Sequence, residues 1–308
     1  MTRFVLGTRG SALALVQAEM TQSALAEAWP GMQIERQVFV TRGDRKLDLS
    51  LLRANEAGGK GLFTRELEEA LIAGTIDVAV HSLKDLPGHN PPGLEITAVL
   101  PRADVADVLI TKESFTLETL PNGARIGTSS VRRARQLQWL RPDLRIEEWR
   151  GNVPTRLRKL GENPDVTGIV LAQAGLERLG FAFGEGVIEL PPWRLNVTSL
   201  GEHLLPAIGQ GAIALQSCAE REDVSEILRK IDHPPTHRAI RAEREFQRLL
   251  SGDCAVPVGV RTRLVGDQIE MSGLLFGAEP GAPATAEVTG AASAPEEVGR
   301  LLFAALSA

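Results

Sequence analysis

Cys254, one of two cysteines in the chain, lies in the segment SGDCAVPVG, residues 251–259, between a polar helical stretch and a strand-like stretch. Gly252 and Asp253 favour a turn and Pro257 keeps a helix from forming, which predicts an ordered loop whose sulfur can point into a cleft. A thiol on such a loop can hold a covalent group or act as a nucleophile. Nucleophilic catalysis requires a nearby base, which the sequence does not identify.

The segment AVHSLKDLP, residues 79–87, offers a second set of reactive groups. An apolar strand is predicted to end at Val80 and to deliver His81, Lys84 and Asp85 to a loop, the place where α/β sheets bind ligands. A carboxylate there can act as a general acid or base, or stabilise a developing cation. The alternative from this segment alone is a capping Asp beside a solvated Lys.

Four arginines fall at or near predicted helix starts in SVRRARQL and EEWRGNVPTRLRKL: Arg132, Arg133, Arg150 and Arg156. A cation at a helix N-terminus is unfavourable by a few tenths of a kcal/mol or more, so several cations there indicate an anionic ligand. Ordinary solvated helix faces are the alternative.

The bulk composition narrows the possible ligands. The net charge of -5 at pH 7 argues against a surface built for nucleic acid, but it permits a local anion site. Most cations are arginines, whose planar fork matches carboxylates, although a biased genome composition gives the same excess. No run approaches the roughly 18 apolar residues of a spanning helix, and MTRFVLGTRG has no apolar signal core. We therefore expect a soluble, cytoplasmic protein with reduced thiols and neither membrane nor nucleic acid as a partner.

Two other segments carry weaker signals. GGKGLFTREL, residues 58–67, has a glycine-rich turn with Lys60 but lacks the spacing of a phosphate-binding P-loop, so it favours a flexible flap or a plain turn. His233 and His237 are separated by two prolines that prevent a helical metal pair. The sequence therefore predicts no metal site.

Short apolar runs alternate with amphipathic helical runs over the first two thirds of the chain, which is typical of an α/β fold with mostly parallel sheets. Residues 7–15 and 127–137 each follow a short strand with Gly-Thr, a hydroxyl residue and a helix. Ser11 and either Ser129 or Ser130 are the expected N-caps, and such helix starts favour anions. Two lobes that aim these helix starts at one cleft would form a binding site; two ordinary strand-helix turns are the alternative.

From about residue 222 the pattern changes to helices, then strands, then a closing helix, which predicts a small α+β domain. We predict a first α/β lobe of residues 1–100 with 201–219, a second α/β lobe of residues 101–200, and a C-terminal domain of residues 222–308 that carries the cysteine loop.

Six motifs in this order resemble the porphobilinogen deaminase family, also called hydroxymethylbilane synthases, over nearly the whole chain: HSLKDLP, GTSSVRRARQL, RGNVPTRLRKL, LAQAGLERLG, AIGQGAI and SGDCAVPVG. The resemblance implies a cytosolic, monomeric transferase of tetrapyrrole biosynthesis, EC 2.5.1.61, which joins four porphobilinogens head to tail into hydroxymethylbilane with loss of ammonia. It also implies two lobes like those of periplasmic binding proteins, with mixed, mostly parallel sheets, and a small C-terminal α+β domain.

The resemblance further assigns roles to individual residues. Cys254 matches the cysteine that carries a dipyrromethane cofactor through a thioether. Asp85 matches the catalytic carboxylate, which assists the loss of ammonia and accepts the proton lost from the pyrrole. The residues expected to hold cofactor carboxylates are Lys84, Ser130, Arg132 and Arg133. Those expected to bind substrate are Arg9, Ser11, Arg150, Arg156, Arg178 and Gln210, and Lys60 falls in the flap.

Three features depart from the family pattern. Asp253 precedes the cysteine where a second glycine is common, and its charge slightly disfavours the thiolate. Arg65 stands where lysine is frequent, which alters the geometry of the charge. Residues 190–207 form a longer connection than usual, and the sequence assigns them no role.

The residues alone leave two other functions open. A solute-binding protein would capture an anion between two lobes without chemistry, but it leaves the third domain and its cysteine unexplained. A thiol-based redox or acyl-transfer enzyme would use Cys254 as its nucleophile.

Overall fold

The computed structural model describes residues 3–41, 64–181, 183–184, 186–250, 257–279 and 281–307, which form three sheets. The five strands of the first sheet are β1 (Arg3–Arg9), β2 (Gln33–Phe39), β3 (Val78–Ser82), β4 (Leu94–Val99) and β11 (Ile213–Cys218). Their order across the sheet is β2-β1-β3-β11-β4. A strand from late in the chain therefore lies between β3 and β4.

Two helices and one short turn accompany this sheet: α1 (Ala12–Ala28), α2 (Arg65–Ile72) and a 3-10 turn (Leu83–Asp85). Ser11 begins α1 as predicted, because its hydroxyl accepts a hydrogen bond from the Ala14 amide at 3.3 Å. Ala18 and Leu25, on one face of α1, are fully buried in the core beside β1 and β3. We call the first sheet with α1 and α2 the first lobe.

The second sheet has six strands: β5 (Asp107–Thr111), β6 (Arg125–Gly127), β7 (Arg145–Glu147), β8 (Gly168–Ala172), β9 (Val187–Leu190) and β10 (Trp193–Ser199). Their order is β7-β6-β8-β5-β10-β9. Its helices are α3 (Val131–Leu140), α4 (Val153–Glu162) and α5 (Gln173–Arg178), and we call this unit the second lobe. The long segment 190–207 supplies β10, which pairs with β5 and β9, so part of it extends the sheet.

The third sheet is an antiparallel meander of β12 (Val258–Val265), β13 (Gln268–Leu275) and β14 (Ala284–Ala291). The helices α7 (Pro234–Leu249) and α8 (Pro295–Ser307) pack together, and α8 packs on β13 and β14. Phe246, Ile269 and Leu302 are fully buried in the core of this unit. We call it the C-terminal unit.

One helix packs differently from the domain boundaries proposed from the sequence. The prediction began the C-terminal domain at residue 222, yet α6 (Glu222–Arg229) buries Val224 and Leu228 in the same core as Phe4 and Leu6 of β1. An amphipathic helix pattern gives the buried face but not the sheet that covers it. The packing favours a boundary after α6.

The predicted α/β class with a small C-terminal α+β unit is confirmed, and both large sheets are mixed. The share of parallel pairing is lower than the prediction of mostly parallel sheets. β1 pairs in parallel with β2 and β3, and β6 with β7 and β8, whereas β11, β5, β10, β9 and β4 pair antiparallel. The antiparallel pairs arise where a strand joins a sheet from a distant part of the chain. In the first sheet, for example, β11 follows the second lobe in sequence and pairs antiparallel with β3 and β4. None of the helices in the described ranges has the length and apolar content to span a membrane.

Candidate active site

The strand β3 leads directly into the turn that carries Lys84 and Asp85. The Leu83 amide donates a hydrogen bond to the Ala212 carbonyl at 3.1 Å, and the Leu83 side chain is only 2% exposed. Leu83 therefore anchors the turn in the core, while Lys84 and Asp85 beside it are exposed. The prediction that this segment presents a cation and a carboxylate at a strand end agrees with this placement.

The prediction for His81 was wrong. The strand does not end at Val80 but continues to Ser82, because it pairs with β11 along that length. His81 is 5% exposed inside the sheet, and burial lowers its pKa to about 4. The imidazole is neutral at pH 7 and belongs to the core of the first lobe rather than to the loop.

Arg9 and Asp85 lie together because β1 and β3 are parallel neighbours, so their carboxyl ends meet at one edge. The Arg9 Nη1 atom is 3.7 Å from Asp85 Oδ2, and the carboxylate side chain is 40% exposed. Ser11 begins α1 two residues beyond Arg9, so an N-terminal helix end lies at the same edge. A guanidinium therefore holds the carboxylate from one side while leaving it accessible.

The second lobe brings a buried cationic pair to the cleft. Ser130 begins α3, and its hydroxyl accepts a hydrogen bond from the Arg133 amide at 3.4 Å. Arg132 and Arg133 are 7% and 6% exposed. Arg132 Nη1 lies 2.7 Å from Asp107 Oδ2, and Arg133 Nη2 lies 2.7 Å from Asp107 Oδ1. Burial alone would raise the pKa of Asp107, but the two guanidiniums outweigh it and hold that pKa well below its usual range.

Asp107 is a residue that the sequence analysis missed. It begins β5, whose other four residues are buried and mostly apolar, and it is itself 1% exposed. A single polar residue at the start of a strand has no special meaning in a sequence. Its importance follows from contacts with α3, which the sequence does not reveal.

Gln210 connects this network to the first lobe. Its Nε2 atom donates to Asp107 Oδ1 at 2.9 Å, and its backbone carbonyl accepts from Arg102 Nε at 2.8 Å. Arg102 in turn pairs with the fully buried Glu243 of α7 at 2.6 Å. Gln210 was expected to bind substrate, but its side chain is 1% exposed. These contacts favour a structural role for Gln210. It joins the segment that leads from β4 to β5, which contains Arg102, to the segment that leads from β10 to β11, and Arg102 joins both segments to α7 of the C-terminal unit.

Lys84 faces the arginine pair from the first lobe. Burial and the charge of Arg133 lower the pKa of Lys84, while Asp85 and Asp107 act in the opposite direction. The Lys84 side chain nevertheless stays exposed to water in the cleft, which screens these effects. We therefore treat its ammonium as charged at pH 7.

Arg150 and Arg156 extend the cationic surface along the second lobe. Arg150 Nε pairs with Glu148 Oε1 at 2.9 Å, and Arg156 Nε donates to the Gly151 carbonyl at 2.7 Å. Burial, followed by the charges of Arg133 and Arg150, lowers the pKa of Arg156 to about 10. Several cations at short range destabilise one another, so an anion between them would be bound favourably.

Two guanidinium groups retain buried, unused Nε donors at the junction of the lobes. Arg178 Nη2 donates to the Gly211 carbonyl at 2.6 Å, and burial lowers the pKa of Arg178. Within the part of the chain that the structure describes, the Nε atoms of Arg178 and Arg132 are buried without a hydrogen-bond partner. Such donors are costly unless an acceptor reaches them. Their arrangement suits a ligand with several carboxylates.

Two predicted residues, Cys254 and Lys60, lie outside the described residues. The other cysteine, Cys218, ends β11, and its thiol donates to the Leu71 carbonyl at 3.2 Å. Burial raises the pKa of the Cys218 thiol, which disfavours the reactive thiolate.

Comparison with known proteins gives the same family over both parts of the chain. Residues 4–226 match the family model described as porphobilinogen deaminase, dipyromethane cofactor binding domain, and residues 237–308 match the model for the porphobilinogen deaminase C-terminal domain. The porphobilinogen deaminase of Syntrophobacter fumaroxidans is 45% identical, covering 88% of this chain and 83% of that protein. The corresponding protein of Moorella thermoacetica is 43% identical, covering 98% and 92%. The periplasmic aliphatic sulphonate binding protein of Escherichia coli is a structural neighbour with 14% identity and a TM-score of 0.39, covering 81% of this chain and 69% of that one. By its match to both family models and its identity to these relatives, the chain belongs to the porphobilinogen deaminase family.

Proposed function

We propose that this chain joins four porphobilinogen molecules head to tail into hydroxymethylbilane with release of ammonia, and that the reaction takes place in the cleft between its two lobes. The observation that carries the proposal is the exposed Asp85 carboxylate beside Arg9, together with the partly buried arginines Arg156 and Arg178 of the second lobe. A carboxylate among cations suits a reaction in which an anionic substrate passes through a positively charged state.

Asp85 is the residue that we assign to proton transfer. Loss of ammonia from the substrate leaves positive charge on the adjoining carbon, and a carboxylate at that place stabilises the charge. The new carbon-carbon bond then requires removal of a proton from the pyrrole ring, and an accessible carboxylate can accept it. Arg9, at 3.7 Å, orients Asp85 without covering it.

The arginines of the second lobe are the proposed binding groups for the substrate. Porphobilinogen carries an acetate and a propionate, which match the forked donors of guanidinium groups. We assign this role to Arg150, Arg156 and Arg178, together with Arg9 and the helix start at Ser11. Gln210 acts indirectly in our proposal, because its buried amide holds Asp107.

The residues at the cleft fit a dipyrromethane cofactor, whose acetate and propionate groups need cationic donors. Support comes from the buried Nε of Arg132, which has no hydrogen-bond partner among the described residues, and from the exposed Lys84, which is close enough to Arg133 and Arg132 for their charges to add to the effect of burial in lowering its pKa. We propose that Lys84, Ser130, Arg132 and Arg133 hold the cofactor carboxylates and that Cys254 is its covalent attachment point. When bound, the cofactor supplies the primer to which the substrate units are joined.

We further propose that the three sheets correspond to three domains: residues 1–100 with 201–219, residues 101–200, and a C-terminal domain within residues 222–308. The packing of α6 supports placing the last boundary after that helix. A monomeric, cytoplasmic enzyme without a membrane or nucleic-acid partner is part of the same proposal.

Replacing Asp85 by Asn tests the function directly. Asn nearly preserves size but removes the charge and the proton acceptor, so turnover of porphobilinogen should fall at least about 10³-fold. Asp223→Asn is the matched control, because Asp223 is a 66% exposed carboxylate that also pairs with an arginine, Arg221, at 2.8 Å. The control should keep its turnover within about twofold.

The measurements are steady-state formation of hydroxymethylbilane and a thermal melt of each variant. If the Asp85→Asn variant retains activity within tenfold of the parent, Asp85 has no catalytic role. Binding of porphobilinogen without any turnover by the parent protein loaded with cofactor would instead support the solute-binding alternative.

A further inference from the structure

A second cationic cavity lies on the contact between the first lobe and the C-terminal unit. It has a volume of about 700 Å³ and lies between α7 and the chain segments that precede and form β4. Its lining includes no residue that we assign to the cleft. The cavity is therefore a separate place in the described part of the molecule.

Five arginines and four carboxylates line this cavity, and most of them pair with a partner. Arg241 pairs with Glu296 at 2.6 Å, and Arg248 pairs with Glu245 at 2.6 Å. Arg229 pairs with Glu222 at 2.7 Å and also feels the charge of Glu95. His237 pairs with Asp232 at 2.9 Å, and Glu95, the fourth carboxylate, makes no ion pair with a described residue.

Two arginines of α7 remain without a carboxylate in the described ranges. Arg244 donates to the Pro87 carbonyl at 3.1 Å and to Asn90 Oδ1 at 2.9 Å, and both acceptors are neutral. Partial burial removes water from this guanidinium and so lowers the pKa of Arg244 to about 10. Arg238 is exposed at the same cavity, and no hydrogen bond or ion pair joins it to another described residue. An anion that entered here would compensate both charges.

The spacing of these arginines indicates the shape of the ligand. Arg238, Arg241, Arg244 and Arg248 recur at three- and four-residue intervals, so they follow one face of α7. At 1.5 Å per residue, the two arginines without a carboxylate, Arg238 and Arg244, are about 9 Å apart along the helix axis. A single compact anion cannot contact groups so far apart, whereas a ligand with several separated oxyanions can.

We propose that this cavity is a binding site for a multivalent oxyanion, a ligand with two or more carboxylate or phosphate groups, held by Arg244 and Arg238 of α7. The site is distinct from the cleft and goes beyond the proposed function. His89 and Asn90, which also line it, belong to the loop that follows Asp85. A ligand there would hold that loop against α7, where Gly88 already lies so close that a β-carbon would be 3.2 Å from the Gln247 carbonyl.

Titration calorimetry with citrate, inorganic triphosphate and monomeric phosphate tests the site. We expect citrate or triphosphate to bind at least tenfold more tightly than phosphate, because only these span several arginines. Each lost charge-assisted contact should weaken binding about ten- to a hundredfold. The double variant Arg238→Leu with Arg244→Leu should therefore lose this binding.

Three further variants locate the binding and guard against misfolding. Arg194→Leu, which removes a 69% exposed arginine from β10, should bind as the parent does. Arg156→Leu should also bind as the parent does, whereas loss of binding in Arg156→Leu alone would place the anion in the cleft and overturn the proposal. Arg238→Leu breaks no hydrogen bond or ion pair with a described residue, so it should melt like the parent and still weaken binding about tenfold or more. Absence of binding by both citrate and triphosphate, or equal binding by Arg238→Leu and the parent, would also overturn it; none of these results depends on turnover.

Discussion

Asp107→Asn should destabilise the protein strongly, because the Asp107 carboxylate is buried between two arginines. Asp107 Oδ1 accepts hydrogen bonds from Arg133 Nε at 3.1 Å, Arg133 Nη2 at 2.7 Å and Gln210 Nε2 at 2.9 Å. Its Oδ2 atom pairs with Arg132 Nη1 at 2.7 Å. The substitution leaves two buried guanidiniums without their counter-charge, and removing one partner of a buried ion pair costs about 3 to 5 kcal/mol. That is a large part of the stability of about 5 to 15 kcal/mol that folded proteins have.

Urea denaturation followed by tryptophan fluorescence measures this loss, since Trp149 is buried in the second lobe at 8% exposure. The matched control is Glu189→Gln, which breaks a 69% exposed ion pair with Arg194 in the same lobe and should cost less than about 1 kcal/mol. A change of less than 0.5 kcal/mol for Asp107→Asn, on the order of a surface substitution, would refute the reasoning.

The pH dependence gives an independent check of the same network. The folded-state pKa of Asp107 lies below its unfolded-state value, so its stabilising contribution is complete above about pH 4 and is lost as the pH falls below that value. The difference in free energy of unfolding between the parent and Asp107→Asn should therefore be constant from pH 7 to pH 5 and shrink in more acidic buffer. A difference that grows on acidification would contradict the assigned direction.

Two further substitutions probe the site and the core. Arg156→Leu removes a partly buried guanidinium and should raise the KM for porphobilinogen about ten- to a hundredfold without loss of thermal stability. Arg158→Leu, the control, changes an exposed arginine on the same helix and should leave KM within twofold. Equal KM values for the two variants would show that Arg156 does not bind substrate. The free energy of unfolding of the parent should fall between pH 6.5 and pH 4, because His81 takes up a proton in the unfolded state and stays neutral in the folded state. In His81→Gln this fall should be smaller. Identical pH profiles of the two proteins in urea denaturation would contradict a buried, neutral His81.

The elements that position the site were predictable where their signals are local. The strand and helix patterns located β1, β3, α1 and α3, and the hydroxyl residues Ser11 and Ser130 were confirmed as N-caps. The cap depends on a residue and the amide three positions later, so a short segment contains all the information. Lys84 and Asp85 were placed near a strand end because the apolar run that predicts the strand precedes them in the same short segment.

Contacts between distant segments were not predictable. Asp107 is more than twenty residues from Arg132 and Arg133, and nothing in its own segment distinguishes it from a surface Asp at a strand start. The burial of α6 on the first sheet depends on how the chain returns after β11. His81 was misplaced because the strand length is set by pairing with β11, a strand from more than a hundred residues later. Tertiary pairing decided each of these cases.

Denaturing mass spectrometry of the purified, active protein tests the central claim most directly. The account predicts a covalent addition with the mass of two linked pyrrole units, located on the peptide that contains Cys254. The addition should persist in Cys218→Ala and be absent in Cys254→Ala, which should also be inactive. An active protein whose Cys254 carries no addition would contradict the assignment of the cofactor and with it the proposed mechanism.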